Sequence, residues 1–197
     1  MKKNIYKEVA KLHIKSMEQG FMPTLGESFL SLLYESIDAD PNSVLIIETK
    51  NEKVIGFVTG GSGMGSIYRQ MLIRWFRLTC TLVPNLLNPL KLKKILEIVF
   101  NTSKTKTEFI NCKNELFSIS VSKEYRGLAV SERLYEKLCQ WFVGNGVNSF
   151  KIVVGESLIR ANGFYRKMGA KPADKIIIHE GELSTLYFHD LKNHQLS

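Results

Sequence analysis

A run of strand character, ELFSISV (residues 115–121), passes through SKEYRGLAV (122–130) into a stretch whose apolar residues Val130, Leu134, Leu138, Trp141 and Phe142 define one helical stripe. This junction constrains the fold more than any other feature, because a strand and a helix joined by so short a turn must pack against a common core. The alternation continues. GNGV (144–147) ends the helix, since glycine accepts the left-handed closing conformation. SFKIVVG (149–155) reads as a strand, LIRANGFYRKMGA (158–170) as a short helix closed by Gly169, and KIIIHEG (175–181) with LSTLYFHDL (183–191) as a last pair of strands.

Upstream, Ile5, Val9 and Leu12 recur as one face of a helix. TLGESFLSLLYESI (24–37) opens with Thr24 and Glu27, the two ends of a capping box, and continues with Leu25, Phe29, Leu32, Leu33 and Ile37 at helical intervals. SVLIIET (43–49) and VIGFVTGG (54–61) flank a polar turn and predict a hairpin. From Ile67 to Phe100 two helical patterns surround VPNLLNP, whose Pro84 and Pro89 forbid one continuous helix. The expected class is α/β: a mixed, partly antiparallel central sheet flanked by helices, in a single domain (1–197) with an inserted helical pair (62–107).

That insertion holds eight basic residues, among them Arg69, Arg74 and Arg77, against one acid, Glu97, which is most of the chain's net charge of +8. Such a cluster favours an anionic small molecule, a lipid surface or nucleic acid, or is a solvated helix face. Nucleic acid is the weakest of these readings, because the bases alternate with aliphatic residues rather than stacking aromatics. The apolar run Met71–Leu90 contains Arg74 and Arg77, which argues against a spanning helix and leaves at most weak peripheral membrane contact. Three cysteines (Cys80, Cys112, Cys139) form no CxxC pair, so reduced thiols, no metal and a cytoplasmic location are expected.

At the central junction, the first N–H groups of the helix lack partners and carry the positive end of its dipole. Arg126 adds a fork of donors and Gly127 permits close backbone approach, a combination suited to phosphate but also common in turns that bind nothing. The run SISVSKEYRGLAVSERLYEKL resembles the acetyl-CoA loop of the GNAT superfamily of N-acetyltransferases, and FYRKMGA resembles that family's second signature. Together they cover roughly residues 115–170. The chain departs from the pattern at Ala129 and Ser131, where small glycine-like positions are usual, and at Leu158, where many members carry asparagine. Alanine at 129 suits the loop only if its φ stays negative.

The resemblance implies acetyl transfer from the cosubstrate acetyl-CoA to a primary amine of a small-molecule acceptor, of which a nucleotide-linked amino sugar is one candidate. It implies that Ile119, Ser120 and Val121 pair with pantetheine, that Arg126, Gly127, Leu128, Ala129, Val130, Ser131 and Glu132 hold the diphosphate, and that Tyr165 sits near the sulfur as general acid. Read on its own, without the upstream loop, Tyr165 is better taken as a packed aromatic with a satisfied hydroxyl. Glu115 is the first choice of general base, with Glu156, His13 and a water relay as competitors. The alternative is a non-catalytic acyl-CoA-binding sensor. A homodimer is expected by analogy with the family.

Overall fold

The structure is a computed structural model that describes residues 2–17, 22–74, 76–78, 112–177 and 183–192. Helices α1 (Lys2–Ser16) and α2 (Glu27–Ala39) precede the hairpin β1 (Ser43–Lys50) and β2 (Lys53–Gly61). Helix α3 (Gly65–Ile73) follows, then β3 (Glu115–Val121), α4 (Val130–Gly144), β4 (Ser149–Gly155), α5 (Ile159–Lys167), β5 (Lys171–Ile177) and β6 (Leu183–Asp190). The six strands form one sheet in the order β1-β2-β3-β4-β6-β5, antiparallel everywhere except between β3 and β4. The mixed, partly antiparallel α/β sheet anticipated from the sequence is therefore present. Of the expected insertion, α3 is described, whereas the second helix, at 88–100, lies outside the described residues, as does Cys80.

Each face of the sheet has its own core. On one side α1 and α2 bury Val9, Leu12, Phe29, Leu30, Leu33 and Ile37 against Phe57 of β2. On the other, α4 buries Val130, Leu134, Tyr135, Leu138, Cys139 and Phe142 against Val58, Phe150, Ile152 and Val154. Tyr135 and Cys139 widen the stripe read from the sequence, while Trp141 stays partly exposed at its margin. Helix α4 lies close to the sheet because β2 turns glycines toward it: a Cβ on Gly56 would stand 2.9 Å from Leu134 Cδ1, and one on Gly60 would stand 2.9 Å from Leu138 Cδ1.

Two local expectations are corrected. The capping box at Thr24 and Glu27 is not formed: Met22–Leu25 is a 3-10 turn, and Gly26 (φ 88°) occupies the N-cap of α2 without a side-chain cap. The strand read as starting at Lys175 begins at Lys171, with Pro172 in a position tolerated because β5 is the sheet's edge. Among the described residues, no helix is long and apolar enough to cross a membrane.

Candidate active site at the split between two parallel strands

The functional geometry starts from an incomplete ladder. Strands β3 and β4 pair at only two positions, Glu115 with Lys151 and Leu116 with Ile152, and then diverge. Just beyond those rungs β3 carries a bulge, since Thr59 of β2 faces Ser118 while the next residue, Gly60, faces Leu116, leaving Phe117 as the extra residue. The edge of β3 from Phe117 to Val121 consequently borders a wedge rather than a strand. Ile119, Ser120 and Val121, expected to pair with an extended ligand, lie along that edge.

The wedge opens toward the turn between β3 and α4. Ser122 N–H bonds Ile55 O at 2.8 Å, and Arg126, an exposed residue, folds back so that its Nε donates to Val121 O at 3.3 Å. Arg133 supports the turn from inside the helix, donating to Leu128 O at 3.0 Å. Gly127 adopts φ 80° with open space where a side chain would begin. Ala129 adopts φ 56°, contrary to the condition set by its sequence, so the loop keeps a left-handed shape without the glycine that would take it freely. The first helical bond of α4 runs from Arg133 N–H to Ala129 O, so the N–H groups of Val130, Ser131 and Glu132 precede the helical ladder. The Glu132 side chain is engaged elsewhere: Lys167 and Ser131 hydrogen-bond it and hold its carboxyl below the usual range. Residues Arg126–Ala129 are exposed and lead into the N–H groups of Val130, Ser131 and Glu132, the last contributing only its backbone.

The proton-handling candidates lie on opposite faces of the sheet. Tyr165, on α5, is buried in the α4-side core, with its ring near those of Tyr135 and Tyr187, and burial pushes its hydroxyl well up from the ordinary value. Glu115 shares a register position with Gly61 and points with it toward the α1–α2 face. Burial pushes the Glu115 carboxyl up, against the pull of Lys151 at 3.6 Å. Tyr68 of α3 lies close enough to feel that carboxylate, and burial with this charge pushes its hydroxyl up to about 12. Sequence reasoning did not single out Tyr68, whose position near Glu115 depends on the packing of α3.

The other candidates are accounted for differently. His13 is buried, its Nδ1 bonded to Tyr34 OH at 2.5 Å and its ring stacked on Phe57, and burial lowers its pKa to about 4. It belongs to the core. Glu156 is paired with Lys175 at 2.5 Å in a cleft of about 800 Å³ between the outer face of α5 and β5. Arg74 and Arg77, offered as contacts for an anionic acceptor, both reach Glu35 of α2, at 3.2 and 2.7 Å. They tie α3 to α2.

Comparison with known proteins bears on the fold and on the segment that carries the two signatures. Residues 103–170, about a third of the chain, match the model of the acetyltransferase (GNAT) family, and that segment contains both sequence signatures. No curated protein matches the chain in sequence. Among solved structures, an N-acetyltransferase from Staphylococcus aureus Mu50 is similar at 13% identity and a TM-score of 0.62, covering 98% of this chain and 96% of that one. An acetyltransferase from Bacillus anthracis str. Ames in complex with acetyl coenzyme A gives 16% identity and 0.52, over 80% of this chain and 67% of that one. An aminoglycoside 6'-N-acetyltransferase complexed with coenzyme A gives 10% and 0.59, over 94% and 90%. The fold is the GNAT fold, and the family resemblance read from the sequence is met by the family model and by the architecture alike.

Proposed function

We propose that this GNAT-type chain is an N-acetyltransferase that moves the acetyl group of acetyl-CoA to a primary amine of a small acceptor. The observation that carries the reading is the split beside the loop: a two-rung β3–β4 ladder whose open edge leads into Arg126–Glu132, inside the segment that matches the family model. Acetyl-CoA supplies the acetyl group as a thioester. The residues present fit it: a strand edge satisfies the amides of an extended chain without side-chain demands, and exposed N–H groups with Arg126 suit a diphosphate.

In this reading Glu115 takes the proton of the acceptor ammonium on the α1–α2 face. Its burial brings the carboxyl closer to the amine in proton affinity, and Lys151 keeps it ionised. Tyr165 donates its O–H toward the sulfur from the opposite face, where a buried, neutral phenol is the form required of an acid. The edge of β3 and its bulge orient the thioester between them. A nucleotide-linked amino sugar is one acceptor of the required kind.

Calorimetric titration of acetyl-CoA, followed by thiol release over an amine panel, tests the reading. Micromolar binding that weakens in Arg126→Ala, with turnover lost in Tyr165→Phe, supports it. Binding without turnover on any amine favours an acyl-CoA-binding sensor, a role with which the left-handed Ala129 in the loop is compatible. Absence of binding overturns both.

A further inference from the structure

Helix α5 begins without a conventional cap. Its N-cap residue is Leu158, whose side chain is 44% exposed and makes no capping bond, although Asn, Asp, Ser or Thr is what this position favours. Its first turn is tied down in another way, by donation to carbonyls rather than by an acceptor for the free N–H groups. Asn162 Nδ2 donates to Gly155 O at 3.0 Å and to Leu158 O at 2.9 Å, while its Oδ1 accepts the Tyr187 hydroxyl at 2.8 Å.

Those three partners lie on three different parts of the fold. Gly155 is the last residue of β4 and forms the lip of the wedge opposite β3. Leu158 opens the helix that carries Tyr165, and Tyr187 is a fully buried residue of β6 whose ring neighbours that of Tyr165. A single amide thus spends both donors and its acceptor in fixing the strand end, the helix start and the buried tyrosine beside the proposed acid. Two of these partners, Gly155 and Tyr187, lie outside α5, so the arrangement does more than close the helix's own first turn.

We propose that Asn162 is a positioning residue for acetyl transfer, setting the place of Tyr165 at the wedge by locking α5 to the end of β4 and to Tyr187. This rests on the function proposed above, in which Tyr165 serves as acid. The substitution that isolates the effect is Asn162→Asp, which keeps size and the acceptor for Tyr187 but replaces the two donations with repulsion between a carboxylate and two carbonyls.

The experiment measures thiol release, acetyl-CoA affinity and amide exchange across residues 155–167 in the wild type, Asn162→Asp and Asn162→Ser. The expected result is a kcat lower by roughly tenfold or more with acetyl-CoA affinity held within about twofold, because misplacement of a reacting group costs rate rather than ground-state binding. Faster exchange at the start of α5 should accompany it. An unchanged kcat in both folded variants, or a kcat loss matched by an equal loss of affinity, overturns the inference. If the wild type turns over no amine, the proposed function fails by itself, and the exchange data still decide the anchor: unaltered protection in both variants removes it.

Discussion

Glu132, in the first turn of α4, and Lys167, in the last turn of α5, hold each other at 3.0 Å beside the loop that faces the wedge. Each sits at the helix end whose dipole favours its charge. The pair also means that the proposed diphosphate surface contains an anion of its own. A diphosphate arriving at Val130–Glu132 meets the Glu132 carboxylate, and Lys167 is divided between the two. Glu132→Gln should therefore bind acetyl-CoA several-fold tighter and Lys167→Met several-fold weaker, both effects shrinking at high salt. Titration calorimetry at two ionic strengths checks this; equal affinity in Glu132→Gln and wild type would show that the carboxylate stays clear of the ligand.

Ala129 at φ 56° sits where L-residues are strained by about 1–2 kcal/mol. Replacing it with glycine removes the strain but adds unfolded-state entropy, so Ala129→Gly should stabilise by up to about 1 kcal/mol. Gly127→Ala, at φ 80° with no atom within 4 Å to clash, should destabilise through backbone strain alone, by about 1–2 kcal/mol. Urea unfolding of the two variants measures opposite signs two residues apart.

Gly60 should not tolerate even a methyl group. Its Cβ would lie 2.9 Å from Leu138 Cδ1, 3.0 Å from Glu115 O and 3.2 Å from Phe142 Cζ. The carbonyl belongs to the residue proposed as base, so relief by moving β3 would shift the site. Gly60→Ala should cost about 1–3 kcal/mol in urea unfolding, and it should lower kcat more than acetyl-CoA affinity.

His13 gives stability a pH dependence of definite sign. Folded, it ionises near pH 4 because burial disfavours the cation, whereas in the unfolded chain it ionises near 6.5. Between these values the unfolded state binds the extra proton, so stability rises with pH; the contribution is complete above about 6.5 and disappears as pH falls toward 4. The full swing is on the order of 3 kcal/mol. Unfolding free energies at pH 5 and 7.5 should differ clearly in the wild type and less in His13→Gln; equal slopes would assign the dependence to other groups.

The acid limb of the rate should belong to Glu115. Because burial raises its carboxyl, kcat/KM should fall on the acid side at a pH above the usual carboxylate range. In Glu115→Gln the rate should drop and that limb should vanish. A pH profile with the limb intact in Glu115→Gln would transfer the role to another group.

Much of this was legible in the sequence because it is local. Hydrophobic period located α2, α4 and the strands apart from the start of β5, and the turn from Val121 to Val130 announced itself through Arg126 and Gly127. What escaped depends on tertiary register. The two-rung split is a relation between residues more than thirty apart, and the engagement of Arg74 and Arg77 by Glu35 spans about forty. Asn162 carried no signal, since a lone asparagine in a short helix is ordinary until Gly155, Leu158 and Tyr187 gather around it. The capping box failed for a local reason: Gly26 took the N-cap through a positive φ that Thr24 had no means to compete with.

The two rungs between β3 and β4 divide the sheet into halves, β1-β2-β3 and β4-β6-β5, stitched by Glu115–Lys151 and Leu116–Ile152 and braced by α4. A seam so short transmits little of one half's stability to the other along the ladder. A ligand lodged in the wedge would take the place of the absent rungs, so its arrival would be felt as a stiffening of the whole sheet, with the two halves melting together rather than in turn.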